Sequence, residues 1–317
     1  MTDTIDNKLL QKFLEKDYNL SNSKIEKIEL GIENHNYLII RMNQKYVLRV
    51  YKKKKINQIQ NEIKLIEYLL TNKVSTPRIF YTMKNEPISQ QANHYAVLFE
   101  FVEGTHPPWA RLDLGLCEDI GNKIGLMQKV LLSYNPNLFN RNLADSFNGI
   151  NNFEVIEKDL LEKKDKILRE LNKFDLKSLR QSVIHSDIIR ENIIVDNNKL
   201  ISILDFDDTH VDYFVWDVAA TISHLFITKS VGIDWNGIES FLKGYLKQNN
   251  LISEEKKVLI PFLRLVNIRL ALIIDWRIKN NDGDIEDLMS IKDSLLVRFN
   301  LIENNLGQIT TLFNKYF

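Results

Sequence analysis

The run His185-Ser186-Asp187-Ile188-Ile189-Arg190-Glu191-Asn192, with Asp205 thirteen residues beyond it in Ile203-Leu204-Asp205-Phe206, restricts the fold of this chain more than any other feature. Short apolar or β-branched runs border these polar residues, over 181–184, 193–196 and 200–204. Runs of that kind form strands, so the acids and the amide between them belong on loops. Asp196-Asn197-Asn198 carries turn chemistry, and a hairpin closed there brings Asp205 back beside Asn192. An acid, an amide five residues on and a second acid beyond a hairpin make up the parts of a phosphoryl-transfer centre. One residue holds the attacking hydroxyl, and two hard oxygen ligands hold Mg2+ against nucleotide phosphates. Asp187 is therefore the candidate catalytic residue, and Asn192 and Asp205 are the candidate metal ligands. Each fragment alone is also what a capped turn or a strand end looks like. The joined order carries the reading.

Upstream, residues 24–30, 37–41 and 46–51 read as three strands, with turns at 31–36 and 43–44. Val47 and Arg49 share one face of the third strand. The next segment, 56–70, places Ile59, Ile63, Ile66 and Leu70 on one helical face and carries Glu62. The run Lys52 to Lys55 stands alone in a chain whose Lys+Arg and Asp+Glu counts are both 42, so a solvated loop is expected there and nucleic acid is not an expected partner. Residues 95–101 form a buried strand, after which Gly104, Pro107 and Pro108 break the regular pattern.

Beyond that break, 112–132, 152–171, 213–226, 235–247, 254–279 and 285–304 favour helices. A length of 317 residues exceeds a usual single core and is enough for two lobes with a cleft between them. The single Cys117 lies on an apolar helical repeat and is expected to be a buried thiol. No apolar run approaches the ~20 residues of a membrane span, and Met1-Thr2-Asp3-Thr4 lacks a basic region before an apolar core. The expected compartment is the cytoplasm, with no membrane partner.

The motif and three further matches, in order from about Gly31 to Asp217, resemble the aminoglycoside phosphotransferase and choline kinase superfamily. That resemblance implies an α+β, two-lobed protein-kinase-like fold. Residues 1–103 would be a nucleotide-binding lobe with an antiparallel sheet and a helix, and 104–317 a mostly helical catalytic and substrate-binding lobe. It implies an ATP- and Mg2+-dependent kinase acting on a small-molecule alcohol. His185 would brace the catalytic loop, and Asp217, in Val215-Trp216-Asp217-Val218-Ala219, would tie it down through backbone amides. Arg49 would meet nucleotide phosphates and Glu62 would orient it, while Asn34 would lie in the loop over the phosphates. Backbone amides at Phe101 and Val102, in the lobe-connecting stretch, would meet the adenine edge.

The chain is most similar to homoserine-kinase-type members over 31–37 and at the arginine before Glu191-Asn192, although Asp212 and Tyr213 stand where the family carries glycine and proline. Arg190 is a candidate for a substrate carboxylate or phosphate. Arg269, with Arg264 and Arg277 on the same segment as Trp276, would suit a carboxylated amino alcohol such as homoserine if the arginines face the cleft; Asp208, Asp212 and Asp275 would suit a cation such as an aminoglycoside, choline or ethanolamine. Trp216, Trp276 and Tyr213 are cage candidates for choline, although aromatic residues at helical spacing are more often core. A catalytically silent kinase-like regulator is the alternative of another class, and retention of Asp187, Asn192 and Asp205 speaks against it. The sequence does not set the oligomeric state.

Overall fold

Three consecutive antiparallel strands form the core of the sheet in the first of two units in this computed structural model, which describes residues 5–28, 34–139 and 157–317. Unit 1 is Met1–Glu103 and unit 2 is Gly104–Phe317. In unit 1 the strands are β1 (Lys24–Ile28), β2 (His35–Arg41), β3 (Gln44–Tyr51), β4 (Ile79–Phe80), β5 (Ser89–Gln91) and β6 (His94–Glu100). Their order is β1-β2-β3-β6-β4, with β5 paired to β6. The turn between β2 and β3 falls on Met42-Asn43, one residue earlier than expected, because Arg41 pairs with Gln44; Met42 takes the left-handed backbone at φ +53. Residues 29–33, which include the first half of the expected phosphate loop at 31–36, lie outside the described residues.

Helix α2 (Ile56–Thr71) follows β3 and buries Ile59, Ile63, Leu65, Ile66 and Leu69. A helix not expected from the sequence, α1 (Asn7–Lys12), runs into a π-helical turn over Phe13–Asp17. Its Leu10, with Phe13 and Leu14 of that turn, packs with Ile39, Leu48, Val50, Ala96 and Leu98 of the sheet. Burying this one patch repays a helix too short to persist alone.

Unit 2 is mostly helical: α3 (Leu114–Leu131), α4 (Lys158–Leu171), α5 (Val215–Phe226), α6 (Trp235–Leu246), α7 (Ser253–Lys279), α8 (Ile285–Asn304) and α9 (Leu306–Tyr316). The helix expected over 152–171 is described from Lys158, and 152–156 lie outside the described residues. Among the described residues six short strands sit between these helices: β7 (Gln181–Ile184), β8 (Ile193–Asp196), β9 (Lys199–Ile203), β10 (His210–Tyr213), β11 (Ile227–Thr228) and β12 (Gly232–Ile233). β8 and β9 form the expected hairpin, while β7 pairs with β10, a strand the sequence reading did not assign. Tyr213, expected to open a helix, instead ends β10, and α5 begins at Val215. Every residue of α5 is buried, as suits a helix apolar all round.

The α3–α6 pair is built on glycines. A Cβ at Gly121 would stand 2.0 Å from the Phe241 carbonyl oxygen, and one at Gly244 would stand 1.9 Å from that of Glu118. Only a hydrogen in place of a side chain permits so close an approach.

Candidate active site

The hairpin brings the acids together. Asn197 and Asn198 take φ of +46 and +57, the paired left-handed residues of a tight hairpin turn. The register Ile193↔Ile203 then puts Leu204 beside Asn192, and the Leu204 N–H donates to the Asn192 carbonyl at 2.8 Å. Asp205 is the next residue, held at φ +62, and Ser186 takes φ +70. Two non-glycine residues in the left-handed region on one loop system mark a conformation imposed by its surroundings.

Those surroundings are specific hydrogen bonds. Asp217, in the first turn of α5, accepts the His185 N–H at 2.9 Å and the Ser186 N–H at 2.8 Å. The Trp216 Nε1–H donates to the Ser186 carbonyl at 3.4 Å. His185 Nε2 lies 2.9 Å from the Leu204 carbonyl and can only donate to it; Nδ1 is then the acceptor for the Asp187 N–H at 3.3 Å. The tautomer follows from these two partners, and the ring lies 4.7 Å from that of Phe206. Burial pushes the Asp217 carboxyl up from its ordinary range, and His185 and the two amides pull it back.

Asn192 Nδ2 donates to the Asp187 carbonyl at 2.9 Å and to its Oδ2 at 2.8 Å. The amide is thereby oriented with its oxygen turned from Asp187. Burial pushes the Asp187 carboxyl up to about 6; the charges of Asp208 and Asp205 add to this, while His185 and the Asn192 bond oppose it. Crowded carboxylates beside an amide oxygen form a hard donor set that fits Mg2+, an ion that keeps waters and takes few protein ligands. Among the described residues no group of three or more His, Cys, Asp or Glu could hold a metal.

In unit 1, Arg49 and Asn36 are cross-strand partners, and Arg49 Nε donates to Asn36 Oδ1 at 3.2 Å. Arg49 Nη1 donates to Glu62 Oε1 at 3.2 Å, and Lys54 Nζ donates to Glu62 Oε2 at 3.1 Å. Glu62, only 1% exposed, thus sits between two cations. Lys54 corrects the reading of 52–55 as a solvated loop: its side chain is mostly buried and ion-paired. Nothing in the bare lysine run distinguishes it from its neighbours. Asn34 Oδ1 accepts the Lys52 N–H at 3.5 Å. Phe101 and Val102 are half-buried directly after β6, with Lys45 Nζ 4.9 Å from the Phe101 ring.

The substrate candidates of unit 2 separate by exposure. Asp208 is exposed, and Arg269 and Trp276 are half-buried, with the Arg269 guanidinium 5.1 Å from the Trp216 ring. Asp275 is 1% exposed and paired with Lys292 at 2.9 Å. Asp212 is buried and accepts the Tyr213 N–H at 2.6 Å. Trp216 is core, packed edge-on against Phe262, as is Tyr213. Arg190 is no surface loop arginine: it is buried and donates to the main-chain carbonyls of Ala110 and Leu225. Cys117 is buried, and burial pushes its thiol up to about 12.

The model of the phosphotransferase enzyme family matches residues 24–251. In sequence the chain is similar to a homoserine kinase of Zymomonas mobilis, 26% identical over 268 residues that cover 82% of this chain and 83% of that protein. A homoserine kinase of Brucella anthropi is 25% identical over 258 residues, 78% of this chain and 77% of that one. In structure the chain is similar to amicoumacin kinase hAmiN in complex with AMP-PNP, Ca2+ and Ami, at a TM-score of 0.74 and 16% identity over 95% of this chain and 94% of that one. It is also similar to a microcompartment-associated aminopropanol kinase, at a TM-score of 0.74 and 19% identity over 96% and 99% of the two chains.

Proposed function

The chain belongs to the phosphotransferase enzyme family, and from that premise we propose that it transfers the γ-phosphoryl group of ATP to the hydroxyl of a small amino alcohol, with homoserine as the best reading. It is a small-molecule phosphotransferase of kinase-like fold with a hydroxyl acceptor. Homoserine is supported by the two sequence relatives named above, both homoserine kinases at 25–26% identity.

The observation that carries the mechanism is the Asn192 amide donating to Asp187 with Asp205 beside it. Asp187 accepts a hydrogen bond from the substrate hydroxyl, fixes its line of attack and takes the proton late. Asn192 and Asp205 would hold Mg2+, which when bound neutralises charge on the phosphate oxygens. Arg49, oriented by Glu62 and Asn36, would meet nucleotide phosphates with its planar fork. The loop needs no reorganisation to receive the hydroxyl, because Asp217 and His185 already fix it.

The test is a panel of acceptors offered to the purified chain with Mg2+ and ATP: homoserine, 3-aminopropan-1-ol, choline, ethanolamine and aminoglycosides. Homoserine is expected to give a kcat/KM at least about tenfold above the rest, a margin that one well-paired polar group readily supplies. Phosphorylation of choline or an aminoglycoside with none of homoserine would refute the assignment.

A further inference from the structure

Two buried guanidiniums share one indole in unit 2. Arg190, in the turn Arg190–Asn192, is 2% exposed, and Arg298, on α8, is 7% exposed. The Trp109 ring centroid lies 5.2 Å from Arg190 Cζ and 5.9 Å from Arg298 Cζ, and Trp109 itself is 51% exposed. The Ser230 hydroxyl donates to the Trp109 carbonyl at 3.0 Å and holds this segment in place. Arg190 is committed to two carbonyls, and Arg298 Nη1 donates to Nδ1 of His224 at 3.0 Å. Burial, then the charge of Arg298, holds the His224 imidazole well below its ordinary value, so it accepts as a neutral ring.

No hydrogen-bond partner supplies a counter-charge. Among the described residues, neither arginine has a carboxylate within ion-pair distance; Glu191 acts on both from farther away, and Asp234 acts on Arg190. The Nε of each arginine is buried and has no hydrogen-bond partner. Burial and the neighbouring Arg190 charge push Arg298 down to about 10. Two buried guanidiniums whose hydrogen-bond partners are neutral, with acids acting only from a distance, retain donors that a directly bound anion would satisfy.

We propose that Arg190 and Arg298, roofed by Trp109, form an oxyanion site for a carboxylate or a phosphate group. Guanidinium forks pair with such groups through adjacent N–H donors, and each fork here retains an unused Nε–H. Arg190 stands three residues after Asp187 on the same loop, which favours the carboxylate of the acceptor over a separate anion. That choice of source rests on the function proposed above; the oxyanion site itself rests on the geometry alone.

The test follows the emission of Trp109 in the full-length chain, taken as the difference between wild type and W109F. Titrants are sodium phosphate, homoserine and 3-aminopropan-1-ol at constant ionic strength. A saturable change with phosphate or homoserine, absent with 3-aminopropan-1-ol and lost in R298M, is expected. A response to homoserine assigns the site to the acceptor's carboxylate, and a response to phosphate alone assigns it to a separate anion. Either result supports the site whether or not homoserine is phosphorylated. R298M without ligand is expected to melt at or above the wild-type temperature, because it removes a desolvated charge that has no direct ion-pair partner, whereas a purely structural arginine would lower it. No change with either oxyanion, or a change retained in R298M, overturns the proposal; should R298M fail to fold, the wild-type titration alone still decides.

Discussion

Asp187 pairs a buried setting with acidic neighbours, and both raise its carboxyl to about 6. A carboxyl whose folded value stands above its ordinary 3.8 favours the protonated form, so the fold loses stability as pH rises from about 4 through about 6. Asp187→Asn is therefore expected to melt at or above wild type at pH 8, with the difference vanishing near pH 4, as thermal denaturation at both pH values would show. The ionised form accepts the hydroxyl, so kcat/KM should fall below about pH 6. A profile flat from pH 5 to 8 would contradict that role. Asp187, Asn192 and Asp205 were legible because their chemistry requires a fixed order and spacing. Lys54 and Arg298 were not, because a cation's partner lies elsewhere in the chain and leaves no local periodicity.

At the scale of elements, the loop depends on the start of α5. Asp217→Ala would leave the His185 and Ser186 amides without their acceptor, and unsatisfied buried donors cost about 1–3 kcal/mol each. Denaturant unfolding should record a loss on the order of 3 kcal/mol, together with loss of turnover. The α3–α6 contact makes a separate demand: Gly121→Ala drives a methyl group into the Phe241 carbonyl, and overpacking of this kind typically costs about 1–3 kcal/mol. An unchanged midpoint would show that the helices can separate freely. The hairpin and the long helices were legible from turn residues and periodicity. The β7–β10 pairing was not, since β10 is four residues, His210–Tyr213, whose partner lies far back in sequence. The short α1 and α9 gave too few turns to register as periodic.

For the whole molecule, acidic and basic residues balance at 42 each. Among the described residues no helix is long and apolar enough to cross a membrane. Of the substrate candidates spread along unit 2, folding has committed Asp212 and Asp275 to internal partners, which a sequence pattern cannot reveal. What remains decisive is whether the three oxygen-bearing side chains at 187, 192 and 205 perform the transfer. The most direct measurement follows phosphate from ATP to homoserine by 31P NMR, in wild type, Asp187→Asn and Asp205→Ala, with ATP affinity measured alongside by calorimetry. The expected result is Mg2+-dependent transfer that stops on chelation, falls on the order of 100-fold in Asp187→Asn with ATP affinity near wild type, and vanishes in Asp205→Ala. Transfer at the wild-type rate in either variant would contradict the account.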